Sequence, residues 1–189
     1  MGLSERQAPG AGDPSLSRII GELQALVGVW SDPESACEPV EQGAVRRFAQ
    51  AIMDESPFYD ASPSISTPYG GPIAPPLFPN HMLRRPLGAP DLVQQRAGDA
   101  DFDGVVPAAG LAPLAGLSHL AVLNGGSEFE IFRYARHGET VTVRHRYAGI
   151  HEKSSSKGVL VVVVIEGEIR TGGGELLLRS RRTLLRRPP

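Results

Sequence analysis

The chain has 189 residues, of which 41% are hydrophobic and 21% charged, with a formal net charge of −2. That length carries one full hydrophobic core but not two comfortable ones, and the near-neutral charge supplies no field to draw in nucleic acid or an anionic membrane. The single cysteine, Cys37, excludes an internal disulfide and a multi-cysteine metal site, which fits a reducing compartment and makes the cytoplasm the expected location.

Residues 1–14 are rich in Gly, Pro, Ser and charge and have no period that would bury a face, so they read as a flexible N-terminal tail. Residues 15–189 read as a single domain. No apolar stretch follows a basic start, and the longest apolar run, "VLVVVVI" at 159–165, is far below the ~18 residues needed to span a bilayer. Neither a leader nor an anchor is expected. In "SLSRIIGELQALVG", Leu16, Ile19, Ile20, Leu23, Leu26 and Val27 recur at helical spacing, predicting an amphipathic helix that closes at Gly28. A short strand is expected near 37–40. A second helix, over 42–53, places Val45, Phe48, Ala49 and Ile52 on one face, and Arg46, Arg47 and Gln50 on the other. It delivers Asp54 to its C-terminal end, at the head of "DESPFYD".

From 62 to 118 proline and glycine dominate, so regular elements must be short, and a loop-rich insert is expected at about 84–118. Residues 95–104 are the best candidate for disorder. From residue 127 onward four segments of strand propensity follow: "SEFEIFRYAR", "ETVTVRHRYAGIHEK", "GVLVVVVIEGEIR" and "GELLLRSRRTLLRR". Their separators, His137-Gly138, "SSSKG" and "TGGG", are short, which predicts a meander of antiparallel hairpins. In the second segment Val141, Val143, His145 and Tyr147 alternate with Thr142, Arg144 and Arg146, the pattern of a half-buried strand. The third is apolar on both faces and needs cover on both.

Three blocks, "PVEQGAVRRFAQAIMDESPFYD", "YGGPIAPPLFP" and "LNGGSEFEIFRYARHGETVTVRHRYAGIHEKSSSKG" continuing through "GELLLRSRRTLLRR", together resemble the MaoC-like hydratases and dehydratases of the hotdog fold, in particular their N-terminal, FAS1-like dehydratase half. The resemblance runs from about residue 38 to 187. It implies an α+β hotdog: an antiparallel sheet of five or six strands wrapped around a central helix. Active members carry Gly-Asp-x-Asn-Pro-(aliphatic)-His, whose Asp and His add or release water across an α,β-unsaturated thioester. On this sequence the glycine position is Met53, the aspartate is Asp54, the asparagine is Ser56, the proline is Pro57 and the histidine is Tyr59. A phenol near pKa ~10 is a poor substitute for an imidazole near ~6.5, and losing that group costs roughly 10²–10⁴-fold in rate. The resemblance therefore implies a degenerate half that pairs with a catalytic hotdog.

Each candidate has a plainer reading. Asp54 also suits a turn that ties down backbone amides, and Tyr59 suits a buried aromatic with a satisfied hydroxyl. Around "GGPIAPP", the resemblance implies that Gly71, Ile73, Ala74, Pro75 and Phe78, with Pro57, border the thioester, the amides near Ile73 and Ala74 facing it. Asn124 and Gly125 stand where relatives often show His-Gly, although a strand start is the plainer reading. The five histidines show no ligand spacing, so no metal is expected. The C-terminal arginines Arg179, Arg181, Arg182, Arg186 and Arg187 read as a solvated edge face, or as contacts to coenzyme A phosphates or an acidic carrier.

The function expected from the resemblance is a non-catalytic or weakly catalytic subunit of an enoyl-CoA hydratase or 3-hydroxyacyl-thioester dehydratase. Its partner is a catalytic hotdog, in a heterodimer or heterotetramer, with an acyl thioester of coenzyme A or acyl-carrier protein as substrate and no cofactor. Two rivals stand beside it. One is a self-sufficient homodimeric hydratase using Asp54, or a histidine such as His81 or His119. The other is a thioester-binding or structural hotdog without turnover. Because Pro79 and Pro86 break or shorten the central helix, the space left is expected either to form a wide acyl pocket bordered by Leu77, Phe78, Met82 and Leu83, with residues 87–118 as its cover, or to be filled by that loop.

Overall fold

The computed structural model describes residues 14–62, 66–83, 86–100, 108, 110–155 and 158–187. Residues 1–13 of the expected tail, Val105, and residues 101–104 of the stretch expected to be disordered lie outside these residues. Five strands form one antiparallel sheet in the order β1-β3-β4-β5-β2, with β1 Glu34–Ser35, β2 Ala121–Ile131, β3 Val141–Ser155, β4 Gly158–Thr171 and β5 Leu176–Arg187. Four short helices accompany it: α1 Pro14–Leu23, α2 Gln42–Ala51, α3 Phe78–Met82 and α4 Leu92–Gln95. Among the described residues no helix is long and apolar enough to cross a membrane.

The two predicted helices form for the reason their spacing gives. On α1, Leu16, Ile20 and Leu23 are buried, and on α2 Val45 and Ala49. Ile52, expected on the buried face of α2, is 47% exposed instead, because the helix ends at Ala51 and the backbone turns away. The first strand is Glu34–Ser35, a little earlier than expected, pairing with Val143 and Thr142 of β3.

The meander holds for β3-β4-β5 but not for β2. Strand β2 pairs with β5 rather than β3, so residues 132–140 cross the end of the sheet instead of forming a hairpin. Along that crossing, Ala74 N–H bonds the Ala135 carbonyl and Gly138 N–H bonds that of Val40. The C-terminal arginines are accordingly not on an edge: β5 lies between β4 and β2, and β2 is the edge.

Helices α1, α2 and α3 pack on one face of the sheet, over two clusters. The first joins α1 to Tyr147, Ile150, Val161, Val163 and Ile165 with Leu117 and Leu120 from the loop; the second joins Val40, Val45, Ala74 and Phe78 to Val141, Val143, Ile169 and Leu178. A register shift between Tyr147 and Gly149 turns Ile150 inward, where strict alternation would have pointed it out. The other face carries a charged ladder. Glu168, buried, receives Arg144 at 2.7 Å, Arg170 at 2.9 Å and Arg179 at 3.4 Å, and Arg179 also reaches Glu130. Beside it Glu166 pairs with Arg146, and the guanidinium groups of Arg144 and Arg146 stack on Trp30 at 4.3 and 4.5 Å.

Proline shortens α3 to a single turn, as expected from Pro79 and Pro86. Of the four residues expected to border a wide pocket, Phe78 is core at 2% exposure, Met82 and Leu83 pack with it in the second cluster, and Leu77 is 40% exposed. From the loop, Leu111 and Leu114 pack against the first cluster, and Tyr147 Oη donates to the Ala112 carbonyl at 2.8 Å.

Candidate functional site

Helix α2 ends in a two-bond cap. Asp54 N–H bonds the Ala49 carbonyl at 3.0 Å and Met53 N–H that of Gln50 at 3.2 Å, the pattern that closes a helix through a left-handed residue. That residue is Met53, at φ 56° and 87% exposed, the one non-glycine with positive φ among the described residues. The backbone at Met53 thus takes the left-handed shape that glycine adopts most readily.

Beyond the cap, Asp54 uses both carboxylate oxygens locally. Oδ1 accepts from Ser56 N–H at 3.2 Å and Oδ2 from Tyr59 Oη at 2.7 Å. Pro57 opens the 3-10 turn Pro57–Tyr59 that brings the phenol back over the carboxylate. Burial raises the Tyr59 pKa well above an ordinary phenol, and the hydrogen bond to Asp54 raises it further. The phenol is therefore a fixed donor, unable to take up a proton from water. The two plain readings, a turn aspartate and a satisfied tyrosine, prove to be two halves of one contact.

The glycine-proline turn is equally committed. Gly70 and Gly71 take φ of 73° and 151°, and Ile73, Ala74 and Pro75 are buried. Ile73 N–H bonds the Phe58 carbonyl at 3.0 Å and Ala74 N–H the Ala135 carbonyl at 2.8 Å. Neither amide is free to face a thioester, contrary to the expectation from the resemblance. Asn124 and Gly125 lie elsewhere: Asn124 is opposite Leu184, which packs against the first cluster, whereas Tyr59 packs against the second. The Asn124 side chain accepts from Gly126 N–H at a bulge, and a Cβ on Gly125 would sit 3.0 Å from Thr183, so this pair shapes the strand. His81 lies against the rings of Phe48 and Phe78, and His119 is exposed. Neither is hydrogen-bonded to Asp54.

Sequence reasoning missed His137. Its imidazole bonds the Ile73 backbone, its Nε2 is buried with no partner, and burial lowers its pKa. It braces the turn that supports Phe58. Also missed is an open cleft of about 420 Å³ beside the Asp54–Tyr59 pair, lined by Pro68, Tyr69, Gly70, Arg133, Tyr134 and Arg136. Among the arginines of β5, Arg179 is held by Glu130 and Glu168, and Arg186 donates to the Leu117 carbonyl at 2.9 Å, so these two are structural.

Residues 25–179 match the family model described as the FAS1-like, dehydratase domain region. The chain belongs to the FAS1-like dehydratase family. Solved structures agree on its hotdog fold. A chain of the ChsH1-ChsH2 complex from Mycobacterium tuberculosis is 19% identical, with a TM-score of 0.66 over 93% of this chain and 92% of that one. A MaoC-like dehydratase from Rhodospirillum rubrum is 20% identical, with a TM-score of 0.55 over 88% and 97%. The 3R-hydroxyacyl-ACP dehydratase complex HadBC from Mycobacterium tuberculosis is 16% identical, with a TM-score of 0.52 over 85% and 96%. No curated protein matches. In this chain, the tyrosine that stands at the histidine position implied by the resemblance, Tyr59, is hydrogen-bonded to Asp54.

Proposed function

We propose that this FAS1-like dehydratase chain is the non-catalytic half of an enoyl-thioester hydratase or 3-hydroxyacyl-thioester dehydratase, and that a second hotdog chain supplies the acid–base pair. The observation that carries this reading is the Tyr59–Asp54 hydrogen bond, which occupies the retained carboxylate with a phenol that stays protonated. Adding water to a 2-enoyl thioester requires a group that removes a proton from water and one that delivers it to the α-carbon. Here the carboxylate is capped and the amides of Ile73 and Ala74 are spent on the protein's own carbonyls.

The place for the partner is the free edge. Strand β2 is eleven residues long with one side unpaired, and Leu123, Phe129, Ile131 and Phe132 on or beside it are each more than 40% exposed. A long apolar edge is an aggregation hazard unless another strand covers it. The solved structures named as the ChsH1-ChsH2 and HadBC complexes support a hotdog partner of a different sequence. Co-expression with a catalytic hotdog that carries the intact Asp and His tests this: a stable heteromer is expected, lost when Phe129 and Ile131 are both changed to Lys. A chain that stays monomeric beside every such candidate contradicts it.

A further inference from the structure

The bulge on β2 holds a reactive pair of residues in water. Asn124 stands opposite Leu184 of β5 and Gly126 opposite Thr183, so Gly125 between them is the extra residue of the bulge. Packing demands glycine there, since a Cβ would stand 3.0 Å from Thr183 Cγ2 and 3.2 Å from Leu185 Cγ. Asn124 and Gly125 are both exposed, and β2 is the edge strand, paired only with β5 among the described residues. Asn124 Oδ1 accepts from Gly126 N–H at 3.0 Å. That bond folds the side chain forward along the chain, bringing Cγ back towards the nitrogen of the intervening Gly125, and it draws electrons away from Cγ.

An amide carbon held beside the next backbone nitrogen, with no Cβ on that residue to obstruct the approach, is placed for intramolecular attack. We propose that Asn124-Gly125 is a site of spontaneous deamidation that remodels the edge strand. Gly125 N gives its proton to hydroxide and bonds to Asn124 Cγ. The Cγ–Nδ2 bond breaks, and ammonia leaves with a proton taken from water. The cyclic imide then takes up one water, opening at one carbonyl to aspartate or at the other to isoaspartate, with no change of oxidation state. Either product sets a carboxylate at the bulge, and isoaspartate also moves the side-chain methylene into the main chain. The strand is paired on both sides of that point, Ala121–Leu123 with Leu185–Arg187 and Gly126–Ile131 with Leu178–Thr183, so the added length cannot suit both runs at once. The shorter run, Ala121–Leu123, is the one that yields.

The chain supplies its own control, because its only other asparagine, Asn80, lies within α3 and is followed by His81. The full chain is aged in warm, mildly alkaline buffer. Peptide mass spectrometry then reads the mass gain of amide to acid at each asparagine, and labelling by an isoaspartyl methyltransferase reads the isoaspartate. Asn124 is expected to convert at least about tenfold faster than Asn80, whose helix must open first and whose neighbour carries a side chain. The rate should climb with pH, as removal of the Gly125 amide proton requires. In the converted chain, amide hydrogen exchange over Ala121–Leu123 should quicken about tenfold or more while that of β4 stays the same. Asn124→Gln, which would have to close a larger ring, should pass through the same ageing unconverted and keep its exchange rates. Conversion of Asn124 no faster than Asn80, conversion in the urea-unfolded chain but not in the folded one, or conversion that leaves exchange over Ala121–Leu123 unchanged would each overturn the proposal. No readout involves a thioester or a partner chain, so this site stands or falls apart from the function proposed above.

Discussion

Tyr59 Oη donates to Asp54 Oδ2 at 2.7 Å, and Ser56 N–H fills the other oxygen of the same carboxylate at 3.2 Å. This contact locks the loop after α2, and on the function proposed above it keeps the carboxylate engaged within its own loop. Tyr59→Phe keeps the ring and removes the donor. It is expected to lower unfolding stability by about 1–2 kcal/mol, as loss of a hydrogen bond to a charged group does, read from the midpoint of a urea titration.

Restoring the imidazole alone should not restore chemistry. In Tyr59→His the amides of Ile73 and Ala74 remain bonded to Phe58 and Ala135, so no donor pair awaits the developing oxyanion. Hydration of crotonyl thioester by this variant is expected to stay within about tenfold of background, well short of the roughly 10²–10⁴-fold that a working acid–base group supplies. A gain of the larger size would show that those amides are not required.

Met53 holds a left-handed backbone with its side chain 87% exposed, so little apolar burial is at stake. Met53→Gly is expected to stabilise the chain by about 1 kcal/mol through relief of that conformation, partly offset by the greater freedom of glycine when unfolded. A rise in the thermal midpoint checks it.

On the opposite face of the sheet, burial alone would raise the Glu168 carboxyl, but hydrogen bonds from Arg144 and Arg170 outweigh it and hold the pKa at about 2, against an ordinary value of 4.5. The folded value is the lower one. The resulting stability is therefore fully present above about pH 4.5 and is lost as pH falls towards 2. Its size is on the order of 3 kcal/mol. Glu168→Gln should flatten stability over that acid range and destabilise the chain at pH 7 by about 2–4 kcal/mol, since Arg144 and Arg170 would lose their carboxylate and Arg179 would keep only Glu130.

The helices and β3 to β5 were legible because local period encodes which face is buried: Leu16, Ile20 and Leu23 on α1, and Val141, Val143 and Tyr147 on β3. Which strands pair was less legible. His137-Gly138 looks like a hairpin turn, yet it belongs to a crossing pinned to Pro72 and Val40, contacts set by segments distant in sequence. The Asp54–Tyr59 pair could be foreseen from one turn of chain with Pro57 inside it. The joining of Tyr69, Tyr134 and Arg136 could not, because no spacing connects the proline-rich loop to the end of the sheet. The commitment of the Ile73 and Ala74 amides was likewise invisible, since backbone partners leave no mark on side-chain pattern.

The most direct test of a non-catalytic role is steady-state hydration of crotonyl thioester by the purified chain alone, alongside its Asp54→Ala variant. With the carboxylate capped and the phenol fixed as a donor, both proteins should run at the same background rate. Substantial turnover by the native chain, abolished in Asp54→Ala, would contradict that role and make the chain an enzyme in its own right.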